Sequence, residues 1–269
     1  MNILGPLWLI GCGNMAGAML EGWLAAGADP ARFTVIRPSG RDAAPGVRVL
    51  TAPPPDETPA IVLLGVKPQK LDEVAPVLEP ALGGDTILVS ILAGVELASL
   101  RARFPGQRRV VRAMPNTPVR LRKGVTQLLT DPAGADAKPN VDPLMRSLGL
   151  VEWHEDEALF AMAGHLSGAG PAFLFRYIDA LAAAGAGLGL PSDQSARIAT
   201  AMVEGAAALA AKPGETPAGL AERVASPGGT TRAGLDVLDQ DGALNGLVLR
   251  TLDASRRRGL EMAQAARSR

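Results

Sequence analysis

The stretch Leu7-Trp8-Leu9-Ile10-Gly11-Cys12-Gly13-Asn14-Met15-Ala16 runs an apolar strand through a glycine turn into a helix. Helical spacing of Met15, Met19, Leu20, Trp23 and Leu24 marks the face that helix buries. Each small residue has its own task. Gly11 permits the tight turn, Gly13 lets backbone approach a phosphate, and Ala16 allows helix and strand to pack closely. Strand, turn and helix start in that order aim backbone N–H groups at a pyrophosphate, so the segment Gly11 to Ala16 reads as a dinucleotide site.

The end of the next strand selects the dinucleotide. That strand is Phe33-Thr34-Val35-Ile36, about twenty residues beyond the turn, where an NAD site carries a carboxylate for the ribose 2′-hydroxyl. Here the chain has Arg37-Pro38-Ser39 with Arg41 close behind, and the first acid is Asp42. An arginine fork and a serine hydroxyl suit a 2′-phosphate, so the pattern favours NADPH, with NADH as the alternative reductant. Taken by itself, an arginine at a strand end is an ordinary solvated turn residue.

Working outward, apolar strands alternate with helices through the first part of the chain. The segments Ile61–Leu64, Thr86–Val89 and Arg109–Arg112 read as strands, with helices over Gln69–Leu82 and near Glu96–Arg103. Further strands are expected at Val125–Leu129 and Leu150–Trp153. Unbroken apolar strands between helices are what a buried parallel sheet requires. Near Glu157 the pattern turns helical, and the boundary is placed at residue 156, giving expected domains of residues 1–156 and 157–269. The resulting class is α/β, a parallel-sheet domain followed by an all-α domain.

Ligands of open α/β sheets lie outside the carboxyl ends of the strands. Three loops fall there: Val66-Lys67-Pro68-Gln69, Ser90-Ile91-Leu92-Ala93-Gly94 and Ala113-Met114-Pro115-Asn116-Thr117-Pro118. Singly each is common turn chemistry, with Asn116 closing an Asx-turn and Pro68 starting a helix. Together, behind a dinucleotide turn, they point to the nicotinamide half of the cofactor. Cys12 stands at a helix start, where a thiolate is favoured, and reads either as a redox switch or as a small space-filler beside the cofactor.

Composition narrows the partners. Lys+Arg and Asp+Glu both total 27, a balance that suggests neither a nucleic-acid surface nor an anionic-membrane binder. One cysteine allows no internal disulfide and suits a reducing cytoplasm. With Cys12, His154 and His165 as the whole thiol and imidazole set, no thiolate or imidazole metal cluster is expected. Leu9-Ile10-Gly11-Cys12 looks like a lipoprotein cleavage site, but it lacks a basic n-region and its apolar run is broken by Gly5 and Pro6. The uncharged run Ala158–Phe175 contains Gly164, Gly168, Gly170 and Pro171, which argues against a membrane span. Phe173–Leu188 is apolar on most faces and rich in small residues, Ala182, Ala183, Gly185 and Gly187. Such a helix needs burial on nearly every side, which implies a homodimer built through the helical domain.

Two further segments carry a resemblance: His165-Leu166-Ser167-Gly168-Ala169-Gly170-Pro171-Ala172-Phe173 and Ala225-Ser226-Pro227-Gly228-Gly229-Thr230-Thr231-Arg232-Ala233-Gly234-Leu235. With Gly11–Met15, Val66–Pro68 and Arg112–Pro118 they resemble the pyrroline-5-carboxylate reductases over nearly the whole chain, in order and at matching spacing. The resemblance implies a Rossmann-type N-terminal domain and a helical, dimer-forming C-terminal domain. It also implies hydride transfer from NAD(P)H to the C=N carbon of 1-pyrroline-5-carboxylate, giving L-proline. Cofactor contacts carry over to Gly11, Cys12, Gly13, Asn14, Met15 and Ala16, to Arg37 and Ser39, to Val66, Lys67 and Pro68, and to Ala93 and Gly94. The substrate carries over to the loop Ser226, Gly228, Gly229, Thr230 and Thr231.

Those residues suit the chemistry. Gly228-Gly229-Thr230 would offer successive N–H groups to the substrate carboxylate just before a helix beginning near Thr231. Thr231 would hydrogen-bond the ring nitrogen. A cyclic imine protonates readily in water, so positioning rather than a strong acid carries the reaction. As a bare pattern, Ser226–Thr231 is also a plain helix cap. Two departures from the family pattern are Ala169, where serine is common, and Ala52, where an asparagine often stands near the adenosine. A hydroxyacid dehydrogenase of the same plan would need a lysine base, yet no lysine lies between Lys138 and Lys212. A non-catalytic NADPH-binding sensor would have less need of an intact Ser226–Thr231 loop.

Overall fold

Four strands, β1 (Leu7–Ile10), β2 (Phe33–Ile36), β4 (Ile61–Leu64) and β5 (Ile87–Ser90), are buried at every position. Apolar side chains on both faces force such strands into the middle of a covered sheet, and they pair in parallel, Leu7 beside Phe33 on one side and Ile61 on the other. In the computed structural model, which describes residues 5–267, the sheet has eight strands in the order β3 (Arg48–Leu50), β2, β1, β4, β5, β6 (Arg109–Pro115), β7 (Gly124–Leu129) and β8 (Gly149–His154). Residues 1–4 and 268–269 of the two expected domains lie outside the described residues. Alternate residues of the strands feed two cores. Leu7 and Leu9 pack with helix α1 (Asn14–Ala25) and helix α4 (Lys138–Arg146). Trp8 and Ile10 pack with α2 (Leu71–Leu78) and α3 (Leu97–Arg103). Trp23 anchors the first core: it is fully buried, stacks on Phe33 with centroids 5.8 Å apart, and donates from Nε1 to the Leu144 carbonyl at 3.0 Å.

Several sequence expectations need correction. Strand β3 (Arg48–Leu50) was not anticipated; it is three residues long at the sheet's edge, too short for a period to register. The helix expected over Gln69–Leu82 is α2 flanked by single 3-10 turns at Pro68–Lys70 and Glu79–Ala81, because Pro68 and Pro80 favour turn starts over a continuing ladder. The sheet is parallel-dominated rather than parallel throughout. Strand β6 (Arg109–Pro115) runs parallel to β5, but β7 (Gly124–Leu129) is antiparallel to it, and β8 (Gly149–His154) is parallel to β7. Consequently Ala113, Met114 and Pro115 are strand residues, not loop, since β7 turns back to pair with them.

Strand gives way to helix between His154 and Glu157, where α5 (Glu157–Gly187) begins. The compact units divide differently: residues up to Ala169 with the chain from Arg256 onward form one, and Gly170–Ser255 the other. The first turns of α5 belong to the sheet unit because Phe160 is buried there and Gly164 packs against the Met114 sulfur. The second unit holds the rest of α5, α6 (Ser192–Ala210), α7 (Pro217–Arg223), α8 (Thr230–Asp239) and the first half of α9 (Ala243–Arg267).

Candidate functional site

Strand order reverses between β1 and β4, and the glycine turn sits at the carboxyl end of β1. Such a switch point is where an open α/β sheet receives its ligand. Gly11 shapes the turn: its φ is +79°, and its N–H is spent on the Ile36 carbonyl at 2.9 Å. The Ala16 side chain is packing, buried with its Cβ against Gly65, where any larger residue would collide. Gly13 is different. It is the N-cap of α1, no side chain caps that helix, and a Cβ added to it would meet nothing within 4 Å. The N–H groups of Asn14, Met15 and Ala16, the first of the helix, thus lie beside open space, as close approach of a pyrophosphate requires. Cys12 is half-buried, and burial pushes its thiol pKa up, with the Glu21 charge adding and the Arg37 charge opposing. A raised thiol pKa favours the space-filler reading over the redox switch. Alkylation of Cys12 at pH 7.5 is expected to be slower than that of a free peptide thiol, and an equal or faster rate would contradict this.

The turn after β2 is held by its own arginine. Arg37 donates from Nε to the Arg41 carbonyl at 2.9 Å and from Nη2 to the Asp42 carbonyl at 2.6 Å. Its guanidinium therefore closes the Arg37–Asp42 turn, and the exposed Ser39 and Arg41 stand within that turn. If this turn reads the 2′-phosphate, Arg37→Ala weakens NADPH more than NADH. The expected difference is about tenfold for a charge-assisted contact, and equal losses for both would reduce Arg37 to scaffold.

The remaining sheet-edge residues separate into open and engaged. Gly94 has φ +74° and open space at its Cβ position; Ala93 beside it is exposed. Lys67 is exposed and is the N-cap of the 3-10 turn that Pro68 starts after β4, while Val66 and Pro68 are half-buried. Asn116 is buried, and its side chain is engaged at both ends: Nδ2 donates to the Ser167 carbonyl at 3.0 Å, and Oδ1 accepts from Val125 N–H at 2.8 Å. Sequence reasoning missed Arg112 and Glu157 as a support for this edge. The Glu157 carboxylate accepts from Arg112 Nη1 and, at 2.9 Å, from the Leu97 N–H that opens α3. Burial pulls the Arg112 pKa down while Glu157 opposes it, and the Arg112 guanidinium lies 4.5 Å over the Phe160 ring. A polar residue inside an apolar strand was the available signal, for Arg112 as for Gln127.

In the second unit, the Ser226–Thr231 loop joins α7 to α8. Gly228 has φ +71°, which glycine alone adopts freely, and open space at its Cβ position. One expected donor is lost: Gly229 N–H is spent on the Ser226 carbonyl at 2.9 Å, closing a tight turn. The helix-start donors therefore begin at Thr230. Gly229 is the N-cap of α8, no side chain caps it, and the N–H groups of Thr230, Thr231 and Arg232 lead the helix. The hydroxyls of Ser226, Thr230 and Thr231 are thus not spent capping the helix, so the loop is not the plain cap its pattern allowed. Arg232 Nη2 binds Glu222 at 3.0 Å, tying the helices on either side of the loop together.

By contrast, a shallow cavity at the opposite, amino edge of the sheet is lined by Pro6, Pro59, Asp85, Thr86 and Arg109. There Arg109 is already paired with Asp85 and Asp136.

Comparison with known proteins fits both halves. A family described as pyrroline-5-carboxylate reductase dimerisation matches residues 157–262, and one described as NADP oxidoreductase coenzyme F420-dependent matches residues 7–94. The pyrroline-5-carboxylate reductase of Pseudomonas aeruginosa is 34% identical over 262 residues, 95% of this chain and 96% of that protein. The chain belongs to the pyrroline-5-carboxylate reductase family. A solved pyrroline-5-carboxylate reductase from Coxiella burnetii shares the fold with a TM-score of 0.87 and 31% identity, over 96% of this chain and 98% of that one. The Plasmodium falciparum pyrroline carboxylate reductase, solved with NADP bound, shares the fold at 22% identity and a TM-score of 0.82, covering 96% and 98% of the two chains.

Membership in this reductase family accounts for α5. By length and composition the helix could cross a membrane, and Phe175 is 63% exposed and Tyr177 45% exposed. The dimerisation match spans the whole helix, and an exposed apolar face of this kind suits a protein interface. The small residues divide between two tasks. Ala182 accepts from Ser195 Oγ at 2.7 Å, and Gly185 packs against Ser195 as well, both within the chain. Ala183 and Gly187 stay exposed for a partner's approach.

Proposed function

We propose that the chain reduces 1-pyrroline-5-carboxylate to L-proline, with NADPH as preferred reductant and NADH as the alternative, and works as a homodimer in the cytoplasm. The observation that carries the reading is the pair of uncapped helix starts, Gly13 before α1 and Gly229 before α8, each headed by glycine and free N–H groups. One suits the pyrophosphate of a dinucleotide and the other a small carboxylate. NADPH supplies a hydride to the ring carbon of the C=N bond, and a proton on nitrogen completes the secondary amine.

The remaining chemistry falls to this chain's own residues. Thr230, Thr231 and Arg232 N–H groups hold the carboxylate, and the Thr231 hydroxyl orients the ring nitrogen. Gly228 and Ser226 complete the substrate loop, Gly228 through a φ of +71° with open space at its Cβ position. Asn116 acts from a fixed position, its amide held by Ser167 and Val125. Such a design needs no buried acid, because the imine takes its proton from water; fixed geometry supplies the rate. The cytoplasmic reading is supported by the single cysteine, which suits a reducing compartment.

The test is consumption of NADPH on addition of pyrroline-5-carboxylate, with NADH in parallel and proline identified in the product. Turnover with proline formed is expected. NADPH binding without turnover would leave a sensor, and absence of both would overturn the reading. Light scattering is expected to give at least a dimer at micromolar concentration.

A further inference from the structure

The face of α5 that enters the sheet unit presents Phe160, Gly164 and Ser167, at helical spacings of four and three. It lies on the side of the sheet that carries Arg112 and Met114 of β6 and Gln127 of β7, where Met114 pairs with Gln127 across the antiparallel ladder. Gln127 is only 4% exposed, in a strand whose neighbours Leu128 and Leu129 are core. Both ends of its carboxamide are used. Nε2 donates to Ser167 Oγ at 3.1 Å, and Oε1 accepts from His154 Nε2 at 2.7 Å. Ser167 Oγ in turn donates to the Ala163 carbonyl at 2.9 Å, and the Ser167 carbonyl accepts from Asn116 Nδ2. Asn116 closes the series by accepting from Val125 N–H. Every donor in this series meets an acceptor, and one set of hydrogen positions satisfies them all.

A buried glutamine is poor packing material. Its two polar ends must be desolvated, and the pair of hydrogen bonds offsets little more than that cost, whereas a methionine of similar volume would fill the same space. What methionine cannot do is hold Ser167 in register with β7 while Ser167 holds Asn116. We infer that Gln127 is a positioning residue for hydride transfer, acting through Ser167 to place Asn116 at the carboxyl end of β6. This rests on the proposed function, taken with the sequence reading of the Asn116 segment as lying beside the nicotinamide half of the cofactor. The adenosine half is anchored elsewhere, at the glycine turn and the Arg37 turn, so the link governs alignment rather than affinity.

The test compares Gln127→Met, Ser167→Ala and the double variant by steady-state kinetics, NADPH titration and thermal unfolding. Each single variant is expected to lower kcat about tenfold, with the NADPH Kd moving less than about twofold. The double variant is expected to lose no more than about the larger single effect, because both substitutions cut one link. A scaffold role alone would lower the melting temperature without this split between kcat and Kd. Losses that multiply in the double variant, or a kcat for Gln127→Met within about twofold of the parent, overturn the inference. If Gln127→Met does not fold, Ser167→Ala severs the same link from the helix side and must show the split by itself. Parent protein that turns over while the variants match it overturns the positioning role alone. Parent protein that binds no NADPH overturns the cofactor reading together with it.

Discussion

Gly13→Val is expected to leave the chain folded and to abolish its use of NADPH. Nothing in the protein lies within 4 Å of the position a Cβ would take, and the backbone there is extended, with φ −80° and ψ −166°. The cost to stability is that of a poorer N-cap, about 1 kcal/mol or less. The side chain instead fills the cradle in front of α1, where the pyrophosphate must approach backbone N–H groups closely. The loss of NADPH affinity is expected to reach about a hundredfold, roughly 2.8 kcal/mol. The neighbouring Gly11 provides the contrast. Its φ of +79° and the close approach of Val66 and Gly65 make any substitution there a folding defect, from which nothing about the ligand can be read. Isothermal titration and thermal unfolding of Gly13→Val decide the matter, and an unchanged Kd would remove the pyrophosphate from the head of α1.

Thr231→Ala is expected to reduce kcat/KM for pyrroline-5-carboxylate by about 10- to 150-fold, corresponding to about 1.5–3 kcal/mol for a hydrogen bond to a charged or developing charge. The helix should survive, since Thr231 is exposed in the first turn of α8 and no side chain caps that helix. NADPH affinity should stay as it is, because the residue lies in the unit that carries none of the proposed cofactor contacts. The serine variant keeps the hydroxyl and should restore most of the rate. An alanine variant with parental kcat/KM would take the ring nitrogen away from Thr231. The adjacent donors predict a different signature: loss of the carboxylate cradle raises the substrate KM first, whereas loss of the Thr231 hydroxyl lowers kcat.

How much of this was legible in the chain depends on the distance over which each signal acts. The glycine turn could be read because its parts are consecutive: Ile10 ends the strand, Gly11 turns, Gly13 opens and Ala16 packs, all within one strand-to-helix transition. The Ser226–Thr231 loop was recognisable for the same reason. Its donor set was not, because nothing in the order of letters says that Gly229 N–H is turned back on Ser226. Arg37 shows the same limit. Residue type suggested a phosphate fork, yet its Nε and Nη2 are aimed at carbonyls four and five residues away, a pairing set by the path of the turn. Strand β3 escaped because three residues at an edge carry no usable period, and the antiparallel β6–β7 pair escaped because strand residues look alike in either direction.

Sequence alone determined that this chain binds a dinucleotide, that a sheet part precedes a helical part, and which family it joins, since periodicity, turn chemistry and motif spacing are local properties written along the backbone. Only the tertiary structure decided which N–H groups stand free, which small residues of α5 face α6 rather than a partner, and that Gln127 reaches Ser167 across 40 residues. Those are consequences of strand register and helix packing. Both depend on the simultaneous burial of side chains far apart in the chain, which no single stretch of sequence contains.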